Sequence, residues 1–145
     1  MPDTKITRRT FAKAGAAAAL ALTAAQTQKV PGANDRVRLG FIGVANRGGQ
    51  LLDAFLDHPD MEVAALCDVS QTTLEKAKQR VGGKADTCGD FRKLIERQDL
   101  DAVVIATPDH WHAIQTIAAC NAGKDVYVEK PLSITVYEGR RMVEA

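Results

Sequence analysis

The sequence has few aromatic residues, almost no net charge and few cysteines. Aromatic side chains make up 5% of its 145 residues, so the chain has no evident stacking surface for single-stranded nucleic acid. The formal net charge of +1 argues against nucleic acid of any kind as the main partner. No apolar run approaches the roughly 18–20 residues that a membrane-spanning helix needs. The three widely spaced cysteines indicate neither a disulfide framework nor a metal cluster.

The remaining composition is that of an ordinary globular protein. Hydrophobic residues make up 46% of the chain and charged residues 26%, both close to the average for folded proteins. A chain of this length has room for one domain with a hydrophobic core. We therefore expect a folded chain and not a disordered one.

The first 25 residues differ in composition from the rest. They carry four basic side chains and one acidic side chain, whereas the remainder is slightly acidic. Residues 14–25 are small and apolar, and a polar stretch begins at Gln26. A basic segment followed by a short apolar one that ends in small residues is the pattern of a secretory signal. The alternative is an N-terminal helix of the fold itself, although residues 14–22 have no polar face.

The basic segment contains the run TRRTFAK at positions 7–13, which resembles a twin-arginine export signal. We expect cleavage after Ala25, a linker over residues 26–36 and a mature domain over 37–145. This interpretation predicts an exported, periplasmic protein that uses the twin-arginine export machinery. Because that route carries folded proteins, often with a cofactor inserted, the signal favours a cofactor-binding domain.

Beyond the linker, the sequence alternates between strand and helix patterns. Apolar and β-branched segments predict strands at 37–45, 62–67, 85–88, 102–106 and 125–129. Helical spacing and capping residues predict helices at 47–57, 71–80, 90–97, 109–122 and 135–145. Strands separated by single helices indicate a parallel sheet covered on both faces. We therefore predict an α/β fold with a doubly wound, Rossmann-type sheet.

The segment after the first strand has the glycine spacing of a phosphate-binding loop. Gly43 and Gly48 occupy the first and third glycine positions of G-x-G-x-x-G, and Ala45 occupies the middle one. The helix that begins near Asn46 and Arg47 would present unpaired N–H groups to phosphates. The alternative is a simple turn, but a loop between a strand and a helix favours the nucleotide interpretation.

Asp68 follows the second predicted strand, 20 residues after Gly48. A carboxylate at this place accepts hydrogen bonds from the adenosine ribose and repels a 2′-phosphate, which favours NAD over NADP. A helix cap or a solvated turn is the alternative role for this side chain.

Two further clusters follow the fourth and fifth strands, at the edge where parallel sheets bind ligands. Positions 106–112 hold the sequence ATPDHWH, and positions 129–131 hold EKP. His110 and His112 are two residues apart, a spacing that fits no standard zinc site, so we predict no metal. Trp111 fits the core or a subunit contact about as well as a sugar-stacking surface.

In their order and spacing, these motifs resemble the N-terminal domain of the Gfo/Idh/MocA oxidoreductase family over about residues 36–145. The resemblance implies an NAD-dependent enzyme that transfers hydride between the nicotinamide and a sugar or polyol hydroxyl. It also implies a second, α+β domain that supplies most substrate contacts and a homo-oligomer interface, so we expect the chain to be incomplete at its C-terminal end. Ala45 departs from the family's loop pattern.

The same resemblance assigns roles to single residues. Lys130 corresponds to the active-site lysine, and a partly buried ammonium group there would polarise a sugar hydroxyl. Glu129 is expected beside the cofactor, and the peptide bond before Pro131 is a candidate for the cis form. The nicotinamide side of the cleft is expected to be formed by Thr107, Pro108 and His112.

Two other functions stay open at this point. A glycoside hydrolase of the same fold would keep NAD bound and oxidise its sugar only transiently. A non-catalytic module would bind NAD without turnover. Accumulation of NADH separates the oxidoreductase from the hydrolase, and replacement of Lys130 separates an enzyme from a binding module.

Overall fold

The computed structural model describes residues 36–145, which form one parallel sheet with helices on both faces. The predicted export signal and all but the last residue of the predicted linker lie outside the described residues. Among residues 36–145, no helix has both the length and the apolar character needed to cross a membrane.

Within the described residues, strands and helices alternate as the sequence predicts. Strands β1 to β5 span Val37–Ile42, Met61–Cys67, Asp86–Cys88, Ala102–Ile105 and Asp125–Val128. Helices α1 to α5 span Asn46–Leu56, Gln71–Arg80, Phe91–Ile95, His112–Asn121 and Val136–Glu144. All ten predicted elements are therefore confirmed, with ends that shift by three residues or fewer.

The strand order is β3-β2-β1-β4-β5, and all neighbouring strands are parallel. The chain moves outward from β1 to β3, then crosses back to β4 on the other side of β1. This order confirms the predicted doubly wound, Rossmann-type sheet. The loops after β1 and β4 leave the sheet in opposite directions, and a cleft for ligands forms at such a point.

Two hydrophobic cores lie on opposite faces of the sheet. Phe41 and Val104 pack in the core that contains the buried leucines of α1 and α2. Their neighbours Ile42 and Val103 pack in the core beneath α3 and α4. Successive side chains of a strand point to opposite faces, so a strand that is apolar throughout needs a cover on both sides. Burial on both faces thus explains the continuous apolar run of β4 and the buried second half of β1.

The two largest differences between predicted and observed element ends, three residues each, both lie at the cleft. The predicted strand 37–45 ends at Ile42, because Gly43 turns the chain with a φ of +82°. The predicted helix 109–122 opens with a 3₁₀ turn over Asp109–Trp111, in which the Trp111 N–H donates to the Pro108 carbonyl. His112 is therefore the first residue of α4.

The three cysteines are free, and none belongs to a disulfide. Cys67 is buried at the end of β2, where it pairs in register with Cys88 of β3. Burial, and then the neighbouring Cys88, raise the pKa of the Cys67 thiol well above its ordinary range. A protonated thiol is a poor nucleophile, so Cys67 is a buried packing residue.

Candidate functional site

Gly43 turns the chain from β1 towards α1 directly against the end of β4. Its N–H donates to the Cys67 carbonyl at 2.8 Å. A Cβ on Gly43 would lie 2.8 Å from the Ala106 carbonyl carbon and oxygen, closer than real Cβ contacts. The positive φ and this close approach together require glycine at the first position of the loop.

Gly48 brings the first turn of α1 onto the same loop. A Cβ built on Gly48 would lie only 2.0 Å from the Gly43 carbonyl oxygen. The helix can therefore approach the turn closely only because Gly48 lacks a side chain. This contact is the helix–strand packing that the third glycine of a dinucleotide loop provides.

Ala45, the departure from the glycine pattern, does not distort the loop. It is the N-cap of α1, with φ −79° and ψ −178°, an extended backbone that any residue adopts. Its side chain makes no capping hydrogen bond. Because the first N–H groups of a helix have no intrahelical acceptor, the start of α1 at Asn46 and Arg47 can receive an anion.

Asp68 lies at the end of β2 beside the glycine loop. Its Oδ2 accepts from the Val44 N–H at 3.0 Å, and its Oδ1 accepts from the Ser70 N–H at 2.9 Å. A carboxylate has about four acceptor positions, so each oxygen keeps capacity for a further donor. The two backbone bonds therefore fix the carboxylate and leave it able to accept from a pair of hydroxyl groups.

A salt bridge joins the start of α1 to the end of β5. The Arg47 Nε donates to the Glu129 Oε1 at 2.7 Å, and the two side chains are 56% and 9% exposed, respectively. The hydrogen bond from Arg47 is the main reason that the pKa of Glu129 lies below its ordinary value. Glu129 is thus a buried, ionised carboxylate, and its Oε2 also accepts from the Lys130 N–H at 3.1 Å.

Lys130 is exposed in this structure, whereas the sequence led us to expect a partly buried ammonium group. It follows Glu129, whose N–H donates to the Ile105 carbonyl at the end of the sheet. Lys130 therefore lies just beyond the carboxyl end of β5. Its peptide bond to Pro131 is cis, as the resemblance implies.

His112 does not face the cleft with a free ring nitrogen. It is 2% exposed, its Nε2 lies 2.8 Å from the Thr107 carbonyl oxygen, and its Nδ1 lies 2.7 Å from the Pro131 carbonyl oxygen. Backbone carbonyls thus lie against both ring nitrogens, while the role of His112 on the nicotinamide side of the cleft stays a prediction.

The other residues of the 106–112 cluster divide between cleft and packing roles. The Thr107 Oγ1 donates to the Gln115 Oε1 at 2.7 Å, which anchors this half-buried threonine on α4. Pro108 and His110 are exposed. Trp111 is 41% exposed and packs edge-on against Phe91, with ring centroids 6.0 Å apart. Within residues 36–145, no three metal-ligating side chains converge.

The structure thus gathers the predicted residues at one edge of the sheet, and it adds links that the sequence did not indicate. Arg47 and Glu129 are 82 residues apart, and His112 and Pro131 are 19 apart. No local pattern signals either pair, because the fold alone brings them together. Arg47, Glu129 and His112 were each predicted to contact the cofactor, but their contacts with one another and with Pro131 were not predicted.

A comparison with protein-family models identifies the family of this chain. The GFO_IDH_MocA model, an oxidoreductase family with an NAD-binding Rossmann fold, matches residues 37–145. The chain belongs to the Gfo/Idh/MocA oxidoreductase family. Its curated relatives include a glycosyl hydrolase family 109 protein of Shewanella putrefaciens, 38% identical over 118 residues. That alignment covers 76% of this chain and 26% of the relative, so the chain spans about a quarter of the length of the curated relatives it matches.

Two solved structures illustrate the same relationship for this Gfo/Idh/MocA domain. Scyllo-inositol dehydrogenase from Lactobacillus casei, with bound NAD(H) and scyllo-inositol, matches with a TM-score of 0.70 and 25% identity over 75% of this chain and 32% of its own. A 3-ketoreductase variant from Actinomadura kijaniata, in complex with TDP-benzene and NADP, matches with a TM-score of 0.68 and 30% identity over 75% and 34%.

The glycine contact gives a direct test of the loop. We expect Gly48→Ala to lower the free energy of unfolding by about 1–3 kcal/mol, because its Cβ meets a backbone carbonyl that cannot move alone. Urea denaturation followed by circular dichroism measures this change.

Gly49→Ala is the matched control on the same turn. The nearest atom to its Cβ is the Arg80 guanidinium nitrogen at 2.8 Å, at the end of a flexible side chain. We expect no loss, or a gain of up to about 1 kcal/mol, because alanine favours a helix over glycine. Equal losses in the two variants would contradict the packing that we describe.

Proposed function

We propose that the protein is an NAD-dependent oxidoreductase that transfers hydride between the nicotinamide and a sugar or polyol hydroxyl. The observation that carries the proposal is the uncapped start of α1, packed through Gly43 and Gly48 onto the switch point of the sheet. Membership of the oxidoreductase family supports the reaction class. The relative that binds NAD(H) and scyllo-inositol supports the substrate class.

The residues present fit a dinucleotide. Gly43, Ala45 and Gly48 form a turn that lets the pyrophosphate approach the backbone, and Asn46 and Arg47 begin the helix whose N–H groups would bind it. Asp68 would accept the adenosine ribose hydroxyls. On the nicotinamide side of the cleft, the proposed contacts are Thr107, Pro108, Glu129 and Lys130.

Asp68 favours NAD over NADP in this proposal. Its carboxylate is fixed by two backbone donors, so it cannot swing away from a 2′-phosphate without losing both bonds. Relatives in complex with NAD(H) and with NADP are both known, so the preference rests on this side chain.

We expect Asp68→Asn to reduce the preference for NAD⁺ over NADP⁺ by about 10–100-fold, the range for hydrogen bonds to a charged group. The amide keeps the shape of the side chain and removes its charge. Dissociation constants for the two dinucleotides, measured by isothermal titration calorimetry, give the ratio. Asp109→Asn, an exposed aspartate in the loop after β4, is the control for a general change of charge. An unchanged ratio in Asp68→Asn would refute its role in selectivity.

Lys130 is the proposed catalytic residue. Bound NAD would accept the hydride, and the proton of the reacting hydroxyl would pass to solvent water at this exposed position. The Lys130 ammonium group would donate a hydrogen bond to the hydroxyl oxygen and stabilise the negative charge that develops there. The cationic Nζ needs a fixed backbone to reach that oxygen. The hydrogen bond from the Lys130 N–H to the ionised Glu129 carboxylate helps to fix the backbone at Lys130.

In the complete gene product, we expect Lys130→Ala to lower kcat by about 10²–10⁴-fold, the range for loss of a general acid–base group. The dissociation constant for NAD⁺ should change little, because the substitution leaves the phosphate loop and the backbone of the two loops beside the nicotinamide unchanged. Lys84→Ala, a change at an exposed lysine before β3, is the control. Retention of full turnover would favour the non-catalytic module.

The second candidate is an NAD-retaining glycoside hydrolase, and the name of the Shewanella putrefaciens relative favours it. Both candidates need the same cofactor site and the same lysine. A single-turnover reaction with a sugar glycoside separates them: the oxidoreductase accumulates NADH absorbance, whereas the hydrolase releases free sugar without net reduction of its cofactor.

We also propose that residues 1–25 are a twin-arginine signal, that 26–36 are a linker, and that the mature protein is periplasmic and homo-oligomeric. The run TRRTFAK and the apolar stretch after it support export. We expect Arg8→Lys combined with Arg9→Lys to leave the protein in the cytoplasm with its N-terminus uncut. Cell fractionation and mass spectrometry measure this, and normal export of the double variant would contradict the signal.

A further inference from the structure

His112 connects the two loops that border the nicotinamide side of the cleft. It begins α4, and its ring is buried between the loop after β4 and the loop after β5. The Nε2 contacts the carbonyl of Thr107 in the first loop, and the Nδ1 contacts the carbonyl of Pro131 in the second. A single side chain thus joins segments that no strand pairing connects at this point.

The chemistry of the two partners defines what the ring does. Carbonyl oxygens accept hydrogen bonds and never donate them, so the ring acts only as a donor here. A neutral imidazole has one N–H and satisfies one of the carbonyls, whereas the cationic ring satisfies both. Because each ring nitrogen lies against a backbone carbonyl, neither nitrogen is directed at a substrate hydroxyl in the cleft.

The position of Lys130 depends on what holds its two neighbours. On its N-terminal side, the Glu129 side chain is held by Arg47 and its N–H by the Ile105 carbonyl. On its C-terminal side, the Pro131 carbonyl is held by His112. The side chain of Lys130 itself is exposed, so its place in the cleft is set through its backbone.

We propose that His112 is a positioning residue, which fixes Thr107 and Pro131 and thereby sets where Lys130 lies relative to a bound dinucleotide. The inference rests on the proposed function. It predicts that loss of the His112 ring weakens the binding of the nicotinamide end of a dinucleotide and leaves the binding of the adenosine end unchanged. At the other end of the site, Gly43 is held by Cys67 and Asp68 by Val44, without any contribution from His112.

The test compares NAD⁺ with ADP-ribose, which has the same adenosine and pyrophosphate but no nicotinamide. We expect His112→Phe, in the whole 145-residue chain, to raise the dissociation constant for NAD⁺ about tenfold, as expected for the loss of one to two hydrogen bonds, and to leave that for ADP-ribose unchanged within about twofold. A general loss of stability would weaken both ligands by the same factor. His110→Phe, two residues earlier and exposed, is the matched control and should change neither constant.

Two further measurements keep the test decisive. His112→Asn restores one donor, so its dissociation constant for NAD⁺ should fall between those of the wild type and His112→Phe. If His112→Phe does not fold, the asparagine variant carries the same comparison of NAD⁺ with ADP-ribose. An equal change for the two ligands would overturn the positioning role.

Amide hydrogen exchange provides a readout that needs no ligand. We expect the amides of Lys130 and Leu132 to exchange at least about tenfold faster in the variants, while those of Phe41 and Leu66 in the central strands keep their wild-type rates. If the wild type binds neither NAD⁺ nor ADP-ribose, the proposed function fails, and the exchange rates still decide whether His112 orders the Lys130 loop. Unchanged exchange at Lys130 would overturn the inference.

Discussion

The close packing of Gly43 between Gly48 and Ala106 is the constraint on which the rest of the site depends. It allows the end of β1, the start of α1 and the end of β4 to meet through backbone atoms alone. A side chain at Gly48 would push the helix away from the turn, and a side chain at Gly43 would push the turn away from the end of β4. Because the helix starts this close to the switch point, its free N–H groups and positive dipole end face the cleft, where a phosphate group would be bound.

Charge is distributed unevenly along this edge of the sheet. At the end of β2, the Asp68 carboxylate is anionic and keeps acceptor capacity for hydroxyl donors. At the end of β5, the charge of Glu129 is compensated by Arg47, which leaves Lys130 as the cationic side chain beside the cleft. A ligand with ribose hydroxyls at one end and a developing oxyanion at the other matches this arrangement.

The sequence predicted the features that depend on local pattern. Apolar runs such as β4 indicate burial on both faces, and the glycine spacing with Asp68 located the loop. The links across the cleft could not be predicted, because they depend on distances between residues remote in the chain. His112 is an example of this difference. Its position in the motif predicted a site residue, but whether its ring faces a ligand or the backbone depends on Pro131 in another loop. The exposure of Lys130 likewise depends on where the sheet ends, which the motif does not encode.

The two candidate reactions make the same demand on this domain. A dehydrogenase and an NAD-retaining hydrolase each begin by moving hydride from a sugar carbon to the cofactor, so each needs a fixed nicotinamide and a cation at the reacting oxygen. In either proposed reaction, Arg47, Glu129 and His112 would act on that shared first step, because they contact the backbone and side chains around Lys130 and not the leaving group of the substrate. The difference between the reactions must then arise from groups that contact the substrate beyond the reacting carbon. A positioning role for His112 therefore holds for either reaction.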